Sequence, residues 1–238
     1  MSTVVISQPM FFPWVGLFEQ TRLADAYVHY VDVQFSKGSF TNRVQLKTAR
    51  GPQWLTLPLK DLRLGQEIRE VQIDDRQDWR RQHIHALATA YATAPFTTEM
   101  LALVQSVYTA PFRNVGEAAI ASMEAIWNYY PGAQPREIHH SSEMGIPGSS
   151  SRRVLDIVKR LGGTSYLTGH GARQYLDHSL FESEGVGVEY IHYNKTPYPQ
   201  QYGEFTPFVS VLDLVANMGK AGEHVMSSGT IHWKEFAG

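Results

Sequence analysis

Cysteine is absent from all 238 residues. Its absence excludes disulfides, thiolate nucleophiles and cysteine metal sites together, and it fits a reducing compartment. Charge is scarce as well. Only 18% of residues are charged and the net charge is −2, so there is no basic field to gather nucleic acid, and no nucleic-acid partner is expected. No uncharged run approaches the length of a membrane span. The opening MSTVVISQPMFF lacks the basic leader of a signal peptide. The expectation is a soluble, cytoplasmic protein with no membrane partner. Familiar catalytic signatures are missing too: no glycine-rich dinucleotide loop, no Gly-x-Ser-x-Gly elbow and no histidine pair at i, i+4. No metal is expected, the cofactor is unknown, and the oligomeric state is left open.

The sequence is otherwise that of a globular chain, with 43% hydrophobic residues. TVVIS reads as a buried parallel strand, Pro13 suits the first position of a helix, and Trp14, Leu17, Phe18 and Thr21 follow at helical spacing. AYVHYV then closes a β-α-β unit. SFTNRVQLKT and QWLTLPLK alternate around ARGP as a β-hairpin, and EVQID reads as one more short strand. From Asp78 to about Tyr130 the pattern is helical, divided at Pro95 and Pro111. A capped helix follows at Ser149 to Ser151. TSYLTG, GARQYLDHSLF and VGVEYIHY read as strand, helix and strand, and VSVLDLVANMG as a last helix. The fold class is α/β: one domain over 1–238, its mostly parallel sheet built from N- and C-terminal β-α-β parts. A hairpin and a helical insertion at 75–132 lie between them.

Polar residues gather where strands end. In open α/β sheets that edge binds ligands, and a helix N-terminus there suits anions. The first strand ends at Gln8, before the stiff apolar turn QPMFFPW, where Trp14 and Gly16 stand; Gly16 would admit a ligand close to the backbone. The other reading is a rigid turn that caps the core. DVQFSKGSFTNR brings Asp32, Gln34, Asn42 and Arg43 together. Asp32 is a candidate base and Arg43 a candidate clamp for carboxylate or phosphate, against a solvated loop in which an arginine pairs Asp32. His83, beside a Trp and two Arg, is the histidine to watch as an acid or base. Gly169 and Tyr175 repeat the strand-end logic. Tyr198, Gln200, Gln201, Ser210, Asp213 and Asn217 combine an aromatic ring, amides and hydroxyls, as a sugar or nucleobase site needs.

Taken together, QPMFFPWVGLFEQTRLADAYV, DVQFSKGSFTNR, WLTLP, WRRQHIHALATAYATAPF, SSEMG, RLGGTSYLTGHGARQYLD and YPQQYGEFTPFVSVLDLVANMG resemble the WbqC-like family, in order and over nearly the whole chain. Members resemble proteins of bacterial surface-polysaccharide and O-antigen clusters. The resemblance implies a transferase that acylates or aminoacylates an amine-bearing small molecule, such as a nucleotide-linked amino sugar, with an activated donor as the second partner. It marks Gln8, Pro9, Trp14, Gly16, Asp32, Gln34, Asn42, Arg43, His83, Gly169, Tyr175, Gln200 or Gln201, Ser210, Asp213 and Asn217 as matched positions. Asp32 or His83 would take the amine proton, Asp32→Asn would abolish turnover without disturbing the fold, and the loop at Tyr198 would close over the ligand. Two alternatives stand beside this: a non-catalytic nucleotide-sugar-binding module, and an ATP-dependent nucleotidylyltransferase-like ligase. Enzymes of the latter kind also place a strand, a turn and a helix at the start, but FPWVG here stands where they carry His-x-Gly-His, so that likeness is one of fold alone.

Overall fold

A computed structural model describes residues 2–236. TVVIS forms β1 (Thr3–Ser7), followed by α1 (Val15–Thr21) and β2 (Ala26–His29), and β1 and β2 pair in parallel as the β-α-β reading required. Next comes the hairpin of β3 (Arg43–Thr48) and β4 (Gly51–Thr56), a separate two-stranded sheet. Three helices follow: α2 (Trp79–Ala90), α3 (Thr97–Tyr108) and α4 (Val115–Tyr129). The chain re-enters the main sheet through β5 (Glu137–His140), α5 (Ser150–Arg160) and β6 (Ser165–Thr168). It ends with α6 (His178–Ser183), β7 (Gly187–His192), α7 (Val211–Met218) and β8 (Gly229–His232).

The main sheet runs β5-β2-β1-β6-β7-β8, parallel except for β8 at the edge. Both faces are covered, which is why its inner strands read as continuous apolar runs rather than alternating ones. Val4, Ile6, Ala26 and Val28 pack towards α5 and α6. Val5 and Tyr27 turn to the opposite face, where α1, α4, α7 and the hairpin build the larger core.

The aromatic turn after β1 is a rivet in that larger core. Phe11 and Phe12 are fully buried. Phe11 donates its N–H to the Phe40 carbonyl at 2.9 Å. Phe12 donates to the Ser122 hydroxyl on α4 at 2.8 Å, and its carbonyl accepts from Ser210 at 2.8 Å. Its φ of 39° is costly for a bulky side chain, and these bonds to three parts of the chain hold it there.

Several expectations are corrected. Pro13 precedes α1, which starts at Val15; its carbonyl accepts from Val211 instead. EVQID forms no strand. Residues 68–70 make a 3-10 turn with a capping box, and Leu59 and Ile73 share a lone bridge. GARQYLDHSLF is broken in two, because Asp177 caps a new helix by accepting from the Leu180 N–H. Two edge strands, β5 and β8, were not expected.

Candidate functional site

Strand β1 lies at the point where the sheet order reverses: the chain moves from β1 to β2 on one side and returns to β6 on the other. Connections diverge at such a switch point and leave a crevice beyond the strand ends. A cavity of about 500 Å³ occupies it, within the size range of small-molecule sites. Its floor is Ile6 and Ser7 of β1 with Tyr166 and Thr168 of β6. Gln8, Trp14, Leu17 and Gln20 make one wall, and Tyr30, Val33, Ser150 and Val154 the other. Gly169, Gly171, Tyr175 and Tyr193 complete the rim.

No Asp, Glu, His, Lys or Arg lines this cavity among the described residues. Its polar groups are amides and hydroxyls between aromatic faces. Gln20 is the most buried of the amides, at 5% exposure. Its Nε2 donates to the Leu167 carbonyl at 3.1 Å, which fixes the amide orientation. Its Oε1 has no donor among the described residues, leaving a pre-aimed acceptor for a ligand N–H or O–H.

Asp32 stands behind the wall, not in it. Its carboxylate accepts from Arg153 Nη2 and from the Ser141 hydroxyl, each at 2.5 Å. Burial pushes the Asp32 carboxyl up, but the bonds from Arg153 and Ser141 and the Arg153 charge outweigh it and hold the group below the usual range. Arg153 lies 5.0 Å above the Tyr30 ring, and Tyr30 lines the cavity. The expected arginine partner is thus Arg153, not Arg43. An ionised, paired carboxylate is a fixed anchor and a weak base.

A second polar cluster lies between α7 and the loop after β7. Asp213 is fully buried. Burial pushes its carboxyl up to about 6, offset in part by the polar groups of Tyr198, Tyr91 and Gln200 nearby and by the Lys47 charge. Gln200 Nε2 donates to the Tyr198 hydroxyl and the Thr206 carbonyl, both at 3.0 Å. Its Oε1 accepts from Lys47 at 3.1 Å, and Lys47 also donates to the Glu204 carbonyl at 2.5 Å. Asn217 donates to the Asp213 carbonyl at 2.8 Å. These residues tie down the loop and are not in the cavity wall.

Of the residues singled out by sequence, Gln8, Trp14, Gly169 and Tyr175 meet at the cavity. Gly16 does something else. A Cβ there would come within 2.2 Å of the Trp14 ring, so glycine lets the indole fold over α1 rather than letting a ligand in. Ser210 caps α7, and the buried Gln201 Oε1 has no partner. His83 is buried in the helical layer. Its Nε2 donates to the Thr56 carbonyl at 3.1 Å, so Nδ1 accepts from the Tyr108 hydroxyl at 2.9 Å. Burial lowers its pKa to about 4. Asn42 donates to the Leu57 carbonyl, Arg43 stacks on Trp54 at 4.1 Å, and Gln34 is exposed with a lone bridge to Glu67. None of these four reaches the cavity. Sequence reasoning missed Gln20, Tyr30, Thr168, Tyr193 and Arg153. The one legible signal was Gln20, an amide following the apolar run of a short helix that is buried along its whole length.

A model of the WbqC-like protein family matches residues 8–225, a span that contains every lining residue of the cavity except Ile6 and Ser7. An uncharacterized protein of Mycobacterium tuberculosis is 31% identical over 222 residues, covering 92% of this chain and 95% of that one. No solved structure matches the chain.

Proposed function

The chain belongs to the WbqC-like protein family, and we propose that it is a transferase acting on an amine-bearing small molecule, acylating or aminoacylating a nucleotide-linked amino sugar for surface polysaccharide. One observation carries this reading: the cavity at the switch point is walled by amides, hydroxyls and aromatic faces, with no charged side chain among the described residues. Such a lining suits an uncharged, hydroxyl-rich ring, whose edges hydrogen-bond while its faces lie against aromatic rings. The unpaired Gln20 Oε1 suits an amine or hydroxyl donor.

The lining also supports a particular kind of chemistry. It holds no general base, since Asp32 is already ionised and paired and His83 is tied to Thr56 and Tyr108. The acceptor amine would enter neutral and attack a donor that is already activated; the new N–acyl bond forms as the donor's bond to its leaving group breaks, and the amine proton departs with that leaving group. The protein would contribute position and exclusion of water, and correct placement alone is worth up to about 7–11 kcal/mol of barrier. The same lack of a base favours, as a second reading, a binding module that presents the sugar to another enzyme.

The test uses Gln8→Ala. The Gln8 side chain makes no hydrogen bond of its own among the described residues, so the fold is expected to be unchanged. Free and nucleotide-linked amino sugars should raise the unfolding midpoint of the parent protein, and about tenfold less tightly for the variant. Mass spectrometry with acyl and aminoacyl donors then separates the readings: a modified sugar supports the transferase, and binding without product the module. If no hydroxylated amine shifts the midpoint, both fail.

A further inference from the structure

Trp14 has a second side. Across its indole from the main cavity lies a groove of about 210 Å³, lined by Trp14, Phe40, Val44, Gln45, Phe208 and Val209. Phe208 is 55% and Phe40 45% exposed, so two large rings face water across a small apolar trough. Its walls are held rigidly. Ser210 N–H donates to the Gln45 carbonyl and Val211 N–H to the Pro13 carbonyl, both at 2.8 Å. The groove is continuous with the site through one ring: Trp14 is 5.8 Å from Phe208 on this side and 4.8 Å from Tyr193 on the cavity side.

No charged side chain lines the groove among the described residues, but two cations stand beside its rim rings. Lys195 Nζ sits 5.2 Å from the Phe208 ring. Arg43 lies over Trp54, itself 5.9 Å from Phe40. Neither cation enters an ion pair among the described residues, and Arg43 Nε is buried without a hydrogen-bond partner. Stacked rings bind planar groups through their faces, and unpaired Lys and Arg bind phosphate. An uncharged acyl chain would leave both cations unused, and a protein partner would need a far wider contact than this trough.

We infer that the groove holds the base and phosphates of a nucleoside diphosphate, with Lys195 and Arg43 on the phosphates. The attached sugar passes Trp14 into the uncharged cavity. This rests on the amino-sugar reading of that cavity and divides the substrate between two subsites: a charged, planar end outside and a neutral ring within.

Isothermal titration of uridine diphosphate, adenosine diphosphate and glucosamine tests it on the parent protein, Phe208→Ala and Lys195→Gln. Both substituted residues are exposed, so the fold is retained. At least one nucleotide should bind. Phe208→Ala should weaken it by about tenfold or more, and Lys195→Gln should weaken it and flatten its salt dependence. Glucosamine affinity should be the same in all three proteins. The inference is overturned if neither nucleotide binds, or if Phe208→Ala binds nucleotide as tightly as the parent. Nucleotide binding without glucosamine binding would instead remove the amino-sugar reading and leave the groove standing.

Discussion

A carboxylate serves as a base only while it is free to take a proton, and Asp32 is not free. Its side chain is 13% exposed and that of Arg153 7%, so each charge depends on the other for what water no longer supplies. Asp32→Asn leaves a nearly buried guanidinium without its counter-charge and should cost about 3 kcal/mol, contrary to the expectation of an undisturbed fold. Urea denaturation reads this directly, and an unchanged midpoint would show the pair to be ornamental. The sign with pH follows from the lowered pKa. The contribution is complete above the unfolded value near 4 and is lost as pH falls through the lower folded value. Sequence singled out Asp32 as a candidate base, but did not show that Arg153, 121 positions away, pairs with it. No local pattern records a contact at that separation.

Among elements, the loop at 194–209 depends on groups outside it. Gln200 is the hub, receiving Lys47 from β3 and the Thr206 N–H while donating to Tyr198. Asp213 sits beneath as a buried acid at the start of α7. Gln200→Ala removes the hub and leaves Lys47 with carbonyl partners alone. Limited proteolysis should then cut within 194–209 several times faster, at nearly the parent unfolding midpoint, since a local opening needs no global unfolding. An unaltered digestion pattern would mean that the backbone bonds suffice. The residues of this cluster were legible as a group, because amides, a tyrosine and an acid crowd one short stretch. Their task was not. Whether such groups face a ligand or one another depends on Lys47 and Tyr91, which arrive from β3 and the end of α2.

For the whole molecule, acid stability is set by histidines that fold neutral. Burial lowers the pKa of His83 to about 4; for His29, burial and then the nearby His140 lower it to about 3. The unfolded chain takes protons at about 6.5. Below that pH it binds more protons than the folded state, so stability is full above about 6.5 and declines as pH falls towards 4. Asp213 works the other way. With its folded pKa raised to about 6, its contribution is present below about 4 and lost as pH rises to about 6, which offsets part of the gain. His178, lowered by burial, adds to the two histidines, and Glu124, raised by burial, adds to Asp213; the large shifts of His83 and His29 leave a net rise in the unfolding midpoint from pH 4.5 to 7. His29→Phe should flatten that rise. It should cost little at pH 7, because His29 is fully buried with both ring nitrogens unpaired and an apolar ring of similar size loses no hydrogen bond. A midpoint that is level from pH 7 to 5 would overturn the account.

Sequence by itself determined the kinds of element and their order. The buried run TVVIS, the alternation around ARGP and the helical spacing between the prolines depend on neighbours a few residues away, and those neighbours are always present. The same locality explains why EVQID misled and why β5 and β8 went unseen: a short strand exists only if a partner lies alongside. Only the tertiary structure decided which strand ends diverge. The order β5-β2-β1-β6-β7-β8 opens the crevice between β1 and β6, sets Gln8 and Trp14 against Gly169 and Tyr175, and strands His83 and Asn42 in another layer. A side chain's chemistry is written in its own residue, but its employment depends on what the fold brings within about 3 Å of it.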